Sequence, residues 1–132
     1  MEETPKNHIQ PISEDGMYAV LNSGELMPLL GLGTWKSKEG EVRTAVEVAI
    51  RNGYRHIDCA SAYGNEAEVG WAISNMVKAG KVTRDDLFVT SKLWNTHHAA
   101  KDVMPALEKS LKVGTVSIKC VGFQLHPIYV TF

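Results

Sequence analysis

The chain has 132 residues, of which 44% are apolar, and its 14 basic and 15 acidic side chains leave a formal net charge of −1. That length suits one domain, and the balanced charge offers no basic surface for nucleic acid or an anionic membrane. No apolar stretch approaches the roughly 20 residues of a membrane span, and the polar, acidic start Met1-Glu2-Glu3-Thr4-Pro5-Lys6 does not read as a secretory leader.

Residues 1–15 carry Pro5, Pro11 and several charges without periodicity, and are expected to form a flexible tail ahead of a domain over 16–132. Met17 to Leu21, the turn signal Asn22-Ser23-Gly24 and then Leu26-Met27 predict a short β-hairpin. The apolar run Leu29 to Thr34, interrupted by Gly31 and Gly33, predicts a buried strand. Val42, Ala45, Val46 and Ala49 recur at helical spacing, and Gly53 supplies a stop. Tyr54 to Cys59 is short and apolar and predicts a second strand. A second helix is expected from Asn65, where Glu68 three residues on suggests a capping box; Val69, Ile73, Met76 and Val77 mark its inner face and Gly80 its end. Leu87 to Lys92 predicts a third strand, Ala100 to Lys112 a third helix with Val103, Leu107 and Leu111 on one face, and Val116 to Leu125 a fourth strand. Alternation of this kind implies an α/β fold with parallel strands and right-handed crossovers. The pattern fits the opening of a doubly wound sheet or of a (β/α)8 barrel.

In either architecture functional groups gather at the carboxyl ends of the strands. Asp58 and Tyr63 follow the second strand and Lys92 ends the third. A tyrosine phenol titrates near about 10, too high for easy proton donation at neutral pH. A nearby ammonium favours the phenolate and makes Tyr63 a better general acid, with Asp58 holding Lys92 in place. Such a group can protonate a carbonyl oxygen while a cofactor delivers hydride to the carbon. The plainer reading is an ordinary strand-end ion pair beside a packed ring. His56 alternates with inward residues and is expected to make structural hydrogen bonds, while His97 and His98 are expected to cap the third helix or face solvent. No set of ligands at metal-binding spacing is seen. The two cysteines, Cys59 and Cys120, are too few for a disulfide-stapled domain and read as free thiols, which favours a cytoplasmic protein.

Gly53-Tyr54-Arg55-His56-Ile57-Asp58-Cys59-Ala60, Ser61-Ala62-Tyr63-Gly64-Asn65 and Glu66-Ala67-Glu68-Val69-Gly70 together resemble the first motif of the aldo-keto reductases. Gly31-Leu32-Gly33-Thr34-Trp35 and Leu87 to Asn95 are similar to further segments of that family, in the same order and spacing. The resemblance covers roughly residues 17 to 112. It implies a (β/α)8 barrel whose bottom is closed by a hairpin, represented here by about three and a half βα units, a partial barrel. It implies an NADPH-dependent oxidoreductase that reduces aldehydes and ketones to alcohols, acting on a small-molecule carbonyl substrate. Tyr63 is then the proton donor, Lys92 its tuner, Asp58 the partner of Lys92, and His126 an orienter of the carbonyl. The resemblance also assigns Gly33, Thr34, Trp35, Asp58 and Lys92 to the cofactor, and Trp35, Tyr63, Trp94 and His126 to the substrate. A barrel needs about 250 residues, so a chain of this length is expected to be weak or inactive as an enzyme. The alternative is a non-catalytic truncated isoform that associates with itself, or with a full-length relative, through its open sheet edges.

Overall fold

The computed structural model describes residues 12–21 and 23–113. The chain begins with an antiparallel hairpin, β1 (Tyr18–Val20) and β2 (Leu26–Pro28), in which Ala19 lies opposite Met27. Ile12 bridges back to Ala19, and the Ser13 amide donates to the Tyr18 carbonyl, so the chain joins the hairpin from Ile12 rather than from residue 16. Three parallel strands follow in the order β3-β4-β5: β3 (Leu32–Gly33), β4 (His56–Asp58) and β5 (Phe88–Thr90). They are linked by α1 (Glu41–Arg51) and α2 (Glu66–Lys78), and α3 (Ala100–Val113) follows β5. The expected fourth strand lies outside the described residues.

The helices form where the apolar period is 3.6. Val42, Val46, Ala49 and Ile50 of α1, and Val69, Ala72, Ile73 and Met76 of α2, are buried. They close with Ile57, Cys59, Val82, Leu87 and Val89 into one core. Ile57 and Val42 are fully covered, and each such side chain contributes about 1.5–3 kcal/mol of burial. Gly53, at φ +90°, follows α1 in the left-handed region that ends helices at little cost to glycine.

Two further expectations are corrected. The run Leu29 to Thr34 is not a six-residue buried strand. Only Leu32 and Gly33 pair with β4, while Leu29 and Leu30 are 52% and 69% exposed. The backbone must pass very close to His56 here: a Cβ on Gly31 would lie 2.9 Å from the imidazole Cγ and 3.1 Å from the His56 carbonyl. The capping box is not formed either. Asn65 donates from Nδ2 to the Thr34 carbonyl at 2.9 Å, and Glu68 accepts from the Gly40 amide at 2.9 Å, so both reach across to the β3–α1 connection.

Side chains alternate across the sheet. Ile57, Cys59, Val89, Ser91 and Leu93 are buried, the first three of them in the core shared with α1 and α2. Their neighbours His56, Asp58, Phe88, Thr90 and Lys92 alternate with them and are half-buried on the opposite face. A doubly wound sheet covers both faces with helices and makes both apolar. The polar second face does not suit that architecture.

Candidate active site

The site is built on the polar face at the carboxyl ends of β4 and β5. The pair Asp58↔Thr90 is the last in the β4–β5 ladder, and Lys92 lies two residues beyond it. Its Nζ donates to Asp58 Oδ1 at 2.6 Å and to the Cys59 carbonyl at 3.0 Å. The same Nζ stands 5.0 Å from the centroid of the Tyr63 ring. Tyr63 ends a 3-10 turn, Ser61–Tyr63, which swings the ring back over the strand ends. Burial works to lower the Lys92 pKa, but the hydrogen bonds and charges of Asp58 and Tyr63 outweigh it, and the ammonium is held above its ordinary value. Asp58, Tyr63 and Lys92 therefore meet in one place.

On the adjoining strand, Gly33 pairs with Asp58 and open space lies where its side chain would be. Thr34 is buried, and its amide and hydroxyl both donate to the Asp58 carbonyl, at 3.0 and 3.2 Å. Asn65 fixes the Thr34 carbonyl in turn. Trp35 is 67% exposed and its ring lies 6.5 Å from that of Tyr63, tilted by 31°. Trp94 is exposed at the head of the 3-10 turn Asn95–His97. His126 lies outside the described residues.

The other titratable groups fall away from this cluster. His56 bridges Pro28 and Thr90: Nδ1, next to a carbonyl, donates to it at 2.9 Å, which leaves Nε2 to accept from the Thr90 hydroxyl at 2.9 Å. His97 and His98 are exposed. Cys59 is a buried free thiol pushed up to about 12, first by burial and then by the nearby charge of Glu66, so it is no nucleophile at neutral pH. No metal-binding group of three or more His, Cys, Asp or Glu occurs among the described residues. No described helix is long and apolar enough to cross a membrane.

The motif reading passed over Glu66. It is buried at the start of α2, where its carboxylate accepts from Ser91 Oγ at 2.5 Å and from Ser110 Oγ at 3.0 Å. A signal was present: Glu66 shares helical spacing with Val69 and Ile73, and a charge on a buried helix face needs partners.

A parallel βα framework with an ammonium, a carboxylate and a phenol gathered at its strand ends defines a class: α/β proteins that carry polar groups at the carboxyl ends of their strands, where sites of that class are built. Comparison makes the assignment specific. Residues 29–126 match the aldo/keto reductase family, and the chain belongs to it. It is 59% identical over 93 residues to aldo-keto reductase family 1 member A1 of Rattus norvegicus, covering 70% of this chain and 29% of that protein. The Gallus gallus protein of the same name is 57% identical over 95 residues, 71% of this chain and 29% of that one. The chain thus spans less than a third of the length of these relatives. Among solved structures, the aldose reductase of Schistosoma japonicum superposes with a TM-score of 0.75 at 43% identity, over 79% of this chain and 35% of that one. The Bombyx mori aldo-keto reductase in complex with NADP gives 0.73 at 44%, over 79% and 36%.

Proposed function

We propose that this chain is the opening segment of a (β/α)8 carbonyl reductase. In this reading Tyr63 donates a proton to a carbonyl oxygen, and NADPH supplies hydride to the carbonyl carbon to give an alcohol. The observation that carries the reading is the contact of Lys92 Nζ with Asp58 Oδ1 at 2.6 Å, 5.0 Å from the centre of the Tyr63 ring. An ammonium in that position stabilises the negative charge left on the phenol oxygen as its proton departs. Asp58 orients the ammonium, and the Cys59 carbonyl accepts a second hydrogen bond from it, so the charge is fixed before any substrate arrives.

The residues fit the reactive end of a nicotinamide cofactor. Open space at Gly33, the exposed face of Trp35 and the part-exposed carboxylate of Asp58 leave room for a flat ring and an acceptor for an amide. Thr34 is anchored between the Asp58 carbonyl and Asn65 and frames the same edge. Trp35 beside Tyr63 gives an apolar wall against which an aldehyde or ketone would lie, with Trp94 as a second wall and His126 orienting the carbonyl. The Bombyx mori relative in complex with NADP supports the choice of cofactor. A cytoplasmic location accords with this chemistry.

The test is to express residues 1–132, titrate NADPH by its fluorescence, and follow its oxidation with a panel of small aldehydes. The expected result is saturable binding and slow turnover, with turnover abolished in Tyr63→Phe while binding persists. Equal turnover in the Phe variant would overturn the proton-donor role, and absence of binding would overturn the cofactor assignment for this chain.

A further inference from the structure

The ladder between β4 and β5 ends at Thr90, yet two residues later Lys92 reaches Asp58 Oδ1 at 2.6 Å. Strand alternation sends Ser91 to the helix side and Lys92 to the site side, so whatever fixes Ser91 also fixes the direction in which Lys92 leaves the backbone. Ser91 is buried and its Oγ donates to Glu66 Oε1 at 2.5 Å. The other oxygen, Oε2, accepts from Ser110 of α3 at 3.0 Å. Glu66 is the first residue of α2, whose helical end favours a negative charge. One carboxylate thus ties the start of α2 to the end of β5 and to the body of α3. Both its oxygens are engaged by serine hydroxyls.

We infer that Glu66 is a positioning residue for Lys92: through Ser91 it holds the Ser91–Lys92 backbone so that the ammonium meets Asp58 and lies under Tyr63. The role rests on the reductase reading for its consequence in catalysis, but not for its geometry, which concerns Lys92 alone. Glu66 does not touch the site. Among the described residues, the groups that face the Lys92 ammonium are Asp58, Tyr63 and the Cys59 carbonyl, and Glu66 acts on Lys92 through the Ser91 backbone.

The experiment compares the wild-type chain with Glu66→Ala, Glu66→Gln, Ser91→Ala and Ser110→Ala. One arm follows the Lys92 side-chain ammonium by ¹⁵N NMR, with the signal assigned by its loss in Lys92→Met. The second arm measures NADPH-dependent aldehyde turnover. In Glu66→Ala and Ser91→Ala, the Lys92 signal is expected to broaden and its titration midpoint to fall, while turnover drops about ten- to a hundredfold with little change in KM, as for a displaced catalytic group. Glu66→Gln keeps the shape and an acceptor and should restore both readouts. Ser110→Ala loosens α3 alone and should leave the Lys92 signal as in wild type. An unchanged Lys92 signal and midpoint in Glu66→Ala would overturn the inference, as would a Gln variant as damaged as the Ala variant, since charge rather than position would then be responsible. Should Glu66→Ala fail to fold, Ser91→Ala decides by the same criteria. If the wild-type chain neither binds NADPH nor turns over, the reductase reading falls, while the NMR arm still decides whether Glu66 aims Lys92.

Discussion

Replacing Lys92 by methionine keeps most of the aliphatic stem and removes the ammonium. Two charge-assisted hydrogen bonds are lost, at 2.6 Å to Asp58 and 3.0 Å to the Cys59 carbonyl. Hydrogen bonds to charged groups contribute about 1.5–3 kcal/mol each. Against this, the folded state no longer strips water from an ammonium whose side chain is only 15% exposed. Fully buried pairs cost about 3–5 kcal/mol when one member is removed. Asp58 is 38% exposed, so water can take over its oxygen and the penalty is smaller. The net expectation is a loss of roughly 1–3 kcal/mol at pH 7, read from urea unfolding followed by circular dichroism. The pH dependence gives a sharper check. The folded pKa of Lys92 lies above the ordinary 10.5, so its contribution is complete below about 10.5 and is lost as pH rises through the higher folded value. The difference in stability between wild type and variant should stay flat from neutral pH up to that point and shrink beyond it. A difference under about 0.5 kcal/mol at pH 7, the range of an unremarkable surface change, would refute the argument. So would a difference that persists unchanged into strong alkali.

Two further outcomes follow from the packing. Gly31→Ala would place a methyl 2.9 Å from the His56 ring and 3.1 Å from its carbonyl, forcing the imidazole off Pro28 or the strand off β4. Overpacking of this kind costs about 1–3 kcal/mol, so the urea midpoint should fall, and a wild-type midpoint would show that the segment gives way freely. Cys59, with its thiol pushed up to about 12 chiefly by burial, should resist iodoacetamide at pH 8 in the folded chain and react once urea is added. Peptide mass mapping separates it from Cys120, and equal labelling in both conditions would contradict the burial.

The helices were legible because their signal is local. Valines and isoleucines three and four apart fix an inner face without reference to the rest of the chain, and α1 and α2 follow that face closely. Strands were legible as apolar runs but not in extent: Tyr54 to Cys59 pairs only over His56 to Asp58, because pairing depends on where the neighbouring strand ends. The capping box failed for the same reason. Asn65 and Glu68 have the local spacing, yet their partners lie 31 and 28 residues away at Thr34 and Gly40. Asp58, Tyr63 and Lys92 could be nominated from the sequence because each stands at or just beyond the end of a predicted strand. Glu66 could not be joined to Ser91 and Ser110, since no short-range pattern links residues 25 and 44 positions apart.

What makes so small a sheet hold both a core and a polar site is the two-residue period itself. Ile57, Cys59, Val89 and Ser91 go to the helices; His56, Asp58, Thr90 and Lys92 go to the other side. The register that sets Asp58 opposite Thr90 therefore decides the chemistry as well as the packing. A slip of one residue in β5 would turn Lys92 beneath α2, away from Asp58, and bring Val89 onto the polar face, exposing an apolar side chain. The hydrophobic pattern that selects the fold thus penalises any arrangement in which Lys92 does not reach Asp58, and Glu66 extends that control past the point where the ladder stops.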